Sequence, residues 1–336
     1  VARLLEGEPV YRVDQVWDGM YGRLAAPEEL TELPRPLRQR LAASPAVAPA
    51  FRLVEEVVSD RGLTLKWLLA AADGTEIETV IMGYRRRVTV CVSSQAGCAM
   101  ACGFCATGQG GYLRQLSSGE ITEQVVRAAR FAREQSWGRL GNIVLMGMGE
   151  PLANYANVRA AIGRWNDDLG IGARSITLST VGIVPGIRKL AADPIQVNLA
   201  VSLHAANDEL RSELVPINRR YPLGALMEAC QEYVRRTRRR ISFEWACIAG
   251  VNDRSSDASE LARLAVPLGA HVNLIPLNPT PGYLVAGSTS EAVARFRDEI
   301  ASHGVNVTVR NTRGRDVKAA CGQLAGSALA RASRLA

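Results

Sequence analysis

Apolar and polar positions change rhythm several times along the chain, and each change predicts an element. Short runs rich in Val, Ile and Leu at 87–92, 142–147, 174–179, 196–203, 241–248 and 271–276 have the length of strands. Between and after them apolar residues recur at helical spacing, near 119–135, 154–168, 184–192, 223–237, 255–268 and 290–302. Strand then helix, repeated six times, predicts an α/β fold with a parallel sheet. Six units suit a partial (β/α)6 barrel better than a complete one of eight. A further run at 305–309 reads as an added edge strand.

Ahead of this core the rhythm differs. FRLVEEVVSD, LTLKWLLA and EIETVIMG, all within 51–90, look like strands parted by the turn signals Arg61-Gly62 and Asp73-Gly74. The first fifty residues read as short helices. Tyr11, Val13, Val16, Trp17 and Met20 share a helical spacing, as do Leu37 and Leu41, with Pro27, Pro34 and Pro36 between them. The division expected is a helical module at 1–50, a β-rich adaptor at 51–86, the α/β core at 87–310 and a C-terminal segment at 311–336.

Composition narrows the class. Hydrophobic content of 47% and charged content of 22% are usual for a globular protein. No apolar run approaches the length of a membrane span. The first residues lack the charged-then-apolar pattern of a signal peptide, and the chain, starting without Met, reads as trimmed. Seven cysteines in 336 residues do not make a disulfide framework; they suit a reducing cytoplasm, where thiols serve chemistry. Net charge is +7, and basic residues cluster at Arg85-Arg86-Arg87, Arg219-Arg220 and Arg235 to Arg240. That sign and clustering favour a nucleic-acid partner, although each run alone also suits a solvated helix end.

Candidate chemistry centres on Cys98, Cys102 and Cys105 in GCAMACGFCATG, spaced C-x3-C-x2-C. Three thiolates on so short a loop can hold three corners of a cubane iron–sulfur cluster, a group usually held by four cysteines. One iron then keeps an open site, as a metal centre that does chemistry must. A structural zinc knuckle is the alternative, but it needs a fourth ligand nearby, and the nearest histidine, His204, is remote in sequence. The cysteine loop directly follows the first core strand, at the strand end where parallel α/β folds carry their chemistry.

Other candidates fall at the ends of later strands. Gly147-Met148-Gly149-Glu150-Pro151 follows the second, where glycines allow close backbone approach and a carboxylate could hold an amino group. Ser179 ends the third, Ser202-Leu203-His204 the fourth, and Asn278, between Leu277 and Pro279, the sixth. A serine here also suits a helix cap, and the Asn a plain turn. Cys321 lies among Arg313, Arg315 and Lys318, cations that favour a thiolate. Cys91 lies on the first core strand, where alternation alone assigns it neither to the site nor to the core. Cys230 and Cys247 read as core.

The segments VSSQAGCAMACGFCATG, LRQLSSGEI, GMGEP, SLHAANDELRSELVPINRRYPL, GVND, PLNPTPG and TRGRDVKAACGQLAG, in this order, resemble the adenine-C2 RNA methyltransferase family of the radical S-adenosylmethionine (SAM) superfamily. The resemblance implies a radical SAM barrel with a [4Fe-4S] cluster on Cys98, Cys102 and Cys105. It also implies SAM contacts at Gly149, Glu150, Ser179, Ser202, Leu203, His204 and Asn278. Cys321 would be the S-methylated carrier, Cys91 its thiol partner in a transient disulfide, and Glu78 the proton acceptor. Two SAM molecules would serve each turnover, one methylating Cys321 and one giving a 5′-deoxyadenosyl radical. The implied substrates are 23S rRNA at the peptidyl-transferase centre and the tRNA adenosine 3′ of the anticodon. A flavodoxin-like electron donor, a monomeric state and a cytoplasmic setting complete the expectation.

Three rivals share parts of this pattern. A related subfamily methylates carbon 8 of the same rRNA adenosine; the segment Thr312-Arg313-Gly314 resembles the carbon-2 group more. A radical SAM enzyme acting on a protein or small molecule fits the Cys91 and Cys321 pair poorly. A non-catalytic iron–sulfur RNA-binding protein would bind RNA without turning SAM over.

Overall fold

In the computed structural model of the protein, residues 2–85, 87–310, 314 and 317–325 are described. The N-terminal module holds α1 (Tyr11–Trp17) and α2 (Arg35–Ala42). Leu5, Val16, Leu30, Leu33, Leu37 and Leu41 form its own small apolar cluster. It docks on the main body through side chains that seek free backbone carbonyls: Arg130 donates to the carbonyls of Leu24 and Ala25, and the Arg164 guanidinium lies over the Trp17 ring.

Three strands follow, β1 (Phe51–Ser59), β2 (Thr64–Ala71) and β3 (Glu76–Tyr84), each antiparallel to the next. β3 then pairs antiparallel with β4 (Arg87–Cys91), the first strand of the core. The adaptor strands therefore extend the core sheet instead of forming a separate layer.

Beyond β4 a small hairpin, β5 (Gln95–Gly97) and β6 (Tyr112–Gln115), brackets the cysteine loop and the short helix α3 (Ala106–Gln109). Helix and strand then alternate: α4 (Ser118–Glu134), β7 (Leu140–Leu145), α5 (Tyr155–Asp167), β8 (Ile176–Thr180), α6 (Val184–Ala191) and β9 (Asn198–Ser202). The alternation continues through α7 (Asp208–Leu214), α8 (Leu223–Thr237), β10 (Ile241–Cys247), α9 (Ser255–Ala265), β11 (His271–Pro276), α10 (Ser290–Ser302) and β12 (Asn306–Val309). The helix expected at 255–268 stops at Ala265, because Pro267 turns the chain into a short 3-10 segment, Val266–Leu268.

The order across the sheet is β1-β2-β3-β4-β7-β8-β9-β10-β11-β12, and every pair from β4 through β12 is parallel. β4 and β12 do not pair, so the parallel part is an open barrel. Its strands bury Val90, Ile143, Leu178, Leu199, Phe243 and Leu274 almost completely, as strands covered on both faces do. Local signals set the helix starts. Ser117 accepts from the Glu120 amide while the Glu120 carboxylate accepts from the Ser117 amide, a reciprocal cap that opens α4 just after the cysteine-loop hairpin. Thr289 and Asn207 cap α10 and α7 in the same one-way sense.

Candidate active site

At the C-terminal ends of the parallel strands lies a cavity of about 1050 Å³ measured to its open mouth. Cys98, Cys102 and Cys105 line one part of it. Residues from the ends of β7, β8, β9, β10 and β11 line the rest, which shows that the open sheet curves around it. Burial pushes the Cys98 thiol up to about 12 and raises Cys102 well above its ordinary value. Each of the three thiols lies within electrostatic reach of another. Among the described residues no three His, Cys, Asp or Glu close around a single ion.

The strand-end residues converge as expected. Gly149 has φ +101, and a Cβ there would lie 2.5 Å from that of Gln95, so only glycine lets β5 and the strand-end loop meet. Glu150 is 2% exposed; its two carboxylate oxygens accept from the amides of Leu152 at 3.0 Å and Val181 at 2.8 Å. Burial still dominates and pushes that carboxyl up to about 7. The hydroxyls of Ser179 and Ser202 face each other at 3.5 Å. Burial, with help from the Arg211 charge, pushes His204 down to about 3. Its Nδ1 accepts from the Ala246 amide at 3.0 Å, so the neutral ring carries its proton on Nε2. Leu203 is the exception. Its side chain lies in the core, its carbonyl accepts from Arg211 Nε at 3.1 Å, and it does not line the cavity.

The C-terminal loop is fixed over the mouth by its main chain. The Ala106 amide donates to the Gly322 carbonyl at 2.7 Å, Thr107 Oγ1 to the Leu324 carbonyl at 2.5 Å, and Asn278 Nδ2 to the Cys321 carbonyl at 3.1 Å. Cys321 thereby reaches the main cavity and also a smaller adjoining one that Cys91 lines. Both are free thiols. Burial, then the Cys321 charge, pushes Cys91 up to about 12.

The expected cationic setting of Cys321 needs correction. Burial raises its thiol, and among the described residues the cation that opposes this is Arg310, not Lys318. Arg313 and Arg315 lie outside the described residues. Arg310 Nη1 stands 3.8 Å from the Cys321 sulfur and 3.9 Å from Glu244 Oε2. Sequence reading missed both partners. Glu244, alone among apolar neighbours in ISFEWACI, was the available signal, since a carboxylate in a buried strand needs a reason to be there. Glu78, the proton acceptor that the resemblance implies, is 6% exposed. It pairs with Lys66 at 2.8 Å and accepts from the Ala325 amide at 2.6 Å; it lines neither cavity but touches the end of the Cys321 loop.

The basic runs divide by geometry. Arg238 to Arg240 precede β10, and Arg239 donates to Asn198 at the start of β9, so that run lies at the sheet end opposite the cavity. Arg87 opens β4 at that same end. Arg219 and Arg220 precede α8 and lie on the cavity side.

A family model for the radical SAM superfamily matches residues 92–263. The probable dual-specificity RNA methyltransferase RlmN of Thermobifida fusca is 50% identical over 331 residues, covering 96% of this chain and 90% of its own. The chain belongs to the RlmN family of radical SAM RNA methyltransferases. The corresponding Mycobacterium marinum protein, also described as a probable dual-specificity RNA methyltransferase RlmN, is 50% identical over 329 residues, covering 95% of this chain and 90% of its own. The crystal structure of a radical SAM methyltransferase from Sphaerobacter thermophilus superposes with a TM-score of 0.92 at 50% identity, covering 96% of this chain and 95% of that one.

An RlmN-family enzyme implies a [4Fe-4S] cluster and SAM, and the residues present fit both. Three cysteines on one loop can each hold a separate iron of a cubane, which leaves the fourth iron open to SAM. Iron would displace the protons that burial now keeps on the Cys98 and Cys102 sulfurs. Beside the cysteines, the side-chain-free backbone at Gly149, the Glu150 carboxyl, the paired serines and the His204 Nε2–H offer the mixed donors and acceptors that an amino acid and a nucleoside require. Among the described residues no helix is long and apolar enough to cross a membrane.

Proposed function

We propose that this enzyme methylates carbon 2 of adenosine, in 23S rRNA at the peptidyl-transferase centre and in tRNA at the adenosine 3′ of the anticodon. The observation that carries the reading is the meeting of Cys91 and Cys321, from β4 and the C-terminal loop, in a small cavity that opens beside the three-cysteine loop. Carbon 2 of adenine is electrophilic, so direct transfer of a methyl cation is disfavoured and a carrier is needed. Cys321 is that carrier. As thiolate it takes a methyl group from SAM by displacement.

Cys98, Cys102 and Cys105 would hold a cluster that, with a second SAM, would supply the one-electron chemistry for removing a hydrogen atom from the methyl group on Cys321. The methylene carbon on Cys321 then bonds to carbon 2 and joins protein to RNA, and the one electron that the adduct must lose as its carbon-2 proton leaves would return to the cluster. Glu78, held beside the loop by Lys66, accepts the carbon-2 proton. Cys91 attacks the Cys321 sulfur; the S–S bond forms, the S–C bond breaks, and the electron pair leaves with the RNA carbon, which takes a proton. Gly149, Glu150, Ser179, Ser202, Leu203, His204 and Asn278 position SAM, with Leu203 acting through its backbone.

A base must leave its stack to enter this cavity, so looped RNA is the substrate form. Arg219 and Arg220 are the basic run placed to meet phosphates at the mouth. The helical module at 1–50 serves as an accessory RNA grip on the adaptor at 51–86, both outside the core at 87–310 and the carrier segment at 311–336. The enzyme works as a cytoplasmic monomer reduced by a flavodoxin-like donor.

Mass spectrometry of nucleosides from rRNA and tRNA tests the reading, in a host lacking its own enzyme and given either this protein or Cys321→Ala. 2-Methyladenosine only with the unmodified protein supports it. 8-Methyladenosine, or neither product, overturns the choice of carbon 2.

A further inference from the structure

Glu244 raises a question that the cluster and the carrier cysteine leave unanswered. It is 3% exposed, on β10, facing the main cavity. Its Oε1 accepts from Ser242 Oγ at 3.0 Å and from Asn273 Nδ2 at 2.9 Å. Its Oε2 is buried and has no hydrogen bond among the described residues. A carboxylate in such a place needs a cation. Arg310 supplies one, yet stops at 3.9 Å, beyond an ordinary hydrogen bond. The same Nη1 lies 3.8 Å from the Cys321 sulfur and 3.5 Å from the Met146 sulfur. The Arg310 backbone is fixed, since its amide donates to the Leu274 carbonyl at 2.8 Å. One guanidinium nitrogen thus stands between two acidic groups, donating to the Cys321 sulfur at 3.8 Å and stopping short of a hydrogen bond to Glu244.

We propose that Arg310 is a catalytic residue of methyl transfer to Cys321: its guanidinium is shared between the Cys321 sulfur and Glu244, and passes to Glu244 when methylation removes the charge on sulfur. This rests on the reading of Cys321 as carrier. In the step itself a thiolate lone pair forms the new S–CH3 bond. The sulfonium S–C bond of SAM breaks, and its electron pair stays on the donor sulfur. Cys321 becomes a neutral thioether and no longer needs Arg310. Glu244, with one oxygen unbonded, is ready to receive that cation. The same exchange serves the disulfide with Cys91, in which the Cys321 sulfur is again neutral. Sharing also keeps Arg310 charged and buried through every state, so no state leaves it without a partner.

Among the described residues, the charged and titratable groups facing Cys321 are Arg310 after β12, Glu244 on β10, Cys105 in the cysteine loop and Cys91 on β4; Tyr84 on β3 faces Arg310. The two partners act on the sulfur with opposite sign. Arg310 favours thiolate and Glu244 opposes it.

The test is the rate at which iodoacetamide alkylates the unmethylated fraction of Cys321 in reduced, cluster-loaded, full-length protein held without SAM under anaerobic conditions. Peptide mass spectrometry reads Cys321 separately from the other thiols. Arg310→Gln should slow alkylation by roughly tenfold or more at fixed pH, the loss expected from a cation within contact range. Arg310→Lys should restore part of the rate. Glu244→Gln, which keeps the acceptor for Ser242 and Asn273, should speed alkylation several-fold. A disrupted loop would move both variants the same way. Shifts in the same direction, or an Arg310→Gln rate equal to that of the unmodified protein, would overturn the proposal. The same spectra show whether Cys321 from purified protein carries a methyl group. Its absence would end the carrier reading, and with it the role in methyl transfer, whereas the opposed shifts measure the charge sharing separately.

Discussion

Arg211 Nη2 donates to the Val181 carbonyl at 2.7 Å and so ties the loop after β8 to the loop after β9. The same fully buried side chain also donates to the carbonyls of Ser202 and Leu203 and to Asn218 Oδ1. Val181 in turn donates its amide to Glu150. One guanidinium therefore sets the spacing of Glu150, Ser202 and His204.

Arg211→Met removes these donors while keeping much of the volume. The stranded carbonyls should lower stability by on the order of 3 kcal/mol. SAM affinity should fall as well, because the loops lose their common anchor. Denaturant melts and SAM titration check the two effects, and an unchanged melt would rule out the tie.

Cys91→Ala should trap the reaction after the RNA adduct has formed, because no thiol is left to attack the Cys321 sulfur. The variant purified from cells should carry RNA that survives denaturation and disappears with ribonuclease. Protein recovered free of RNA, yet methylated on Cys321, would show that Cys91 is not the resolving thiol.

Cys102→Ala should leave a chain that folds but holds little iron, since two thiols remain for a cluster that needs three here. Iron content and visible absorbance should fall together, and 2-methyladenosine should vanish. Cluster content equal to that of the unmodified protein would remove Cys102 from the ligand set.

Gly149→Ala combines a left-handed backbone with a contact that cannot be relieved by a flexible side chain alone, because the Gln95 amide nitrogen lies 2.8 Å from the added carbon. The cost should be about 1–3 kcal/mol. A larger loss of SAM affinity than of stability would place the close approach at the cofactor.

Glu150 gives a pH signature. Its carboxyl is pushed from 4.5 up to about 7 by burial, so between those values the folded chain binds more protons than the unfolded one. Its contribution to stability must therefore fall as pH rises through that window. His204, held near 3, has the opposite slope below its ordinary value of 6.5. In cluster-free protein, the stability of the unmodified chain minus that of Glu150→Gln should decline from pH about 4.5 to about 7. A flat or rising difference would count against a buried, protonatable Glu150.

Most of the core was legible in the sequence, because β4 and β7 through β11 are short runs rich in Val, Ile and Leu and their helices carry a clear period. His271–Pro276 and Ser290–Ser302 fall where the pattern puts them. The β5 and β6 hairpin did not show, because Gln95–Gly97 and Tyr112–Gln115 are too short to alternate. Site residues on motif loops were legible for a different reason: strand ends in a parallel sheet all point one way. Glu244 and Arg310 come from β10 and the chain after β12, and only the curving of the sheet brings them to Cys321. The basic run at 235–240 looked like part of an RNA grip, but chain direction carries it to the far end.

The grip on the Cys321 loop is made through carbonyls and amides, from Gly322, Leu324, Ala325 and Cys321 itself. None of these bonds uses the cysteine side chain. The sulfur can therefore change from thiol to thioether, to RNA adduct and to disulfide without any of its tethers being broken. The loop behaves as a jig that holds the workpiece by its frame: shortening the exposed Lys318 side chain should be tolerated far better than any change to the backbone path.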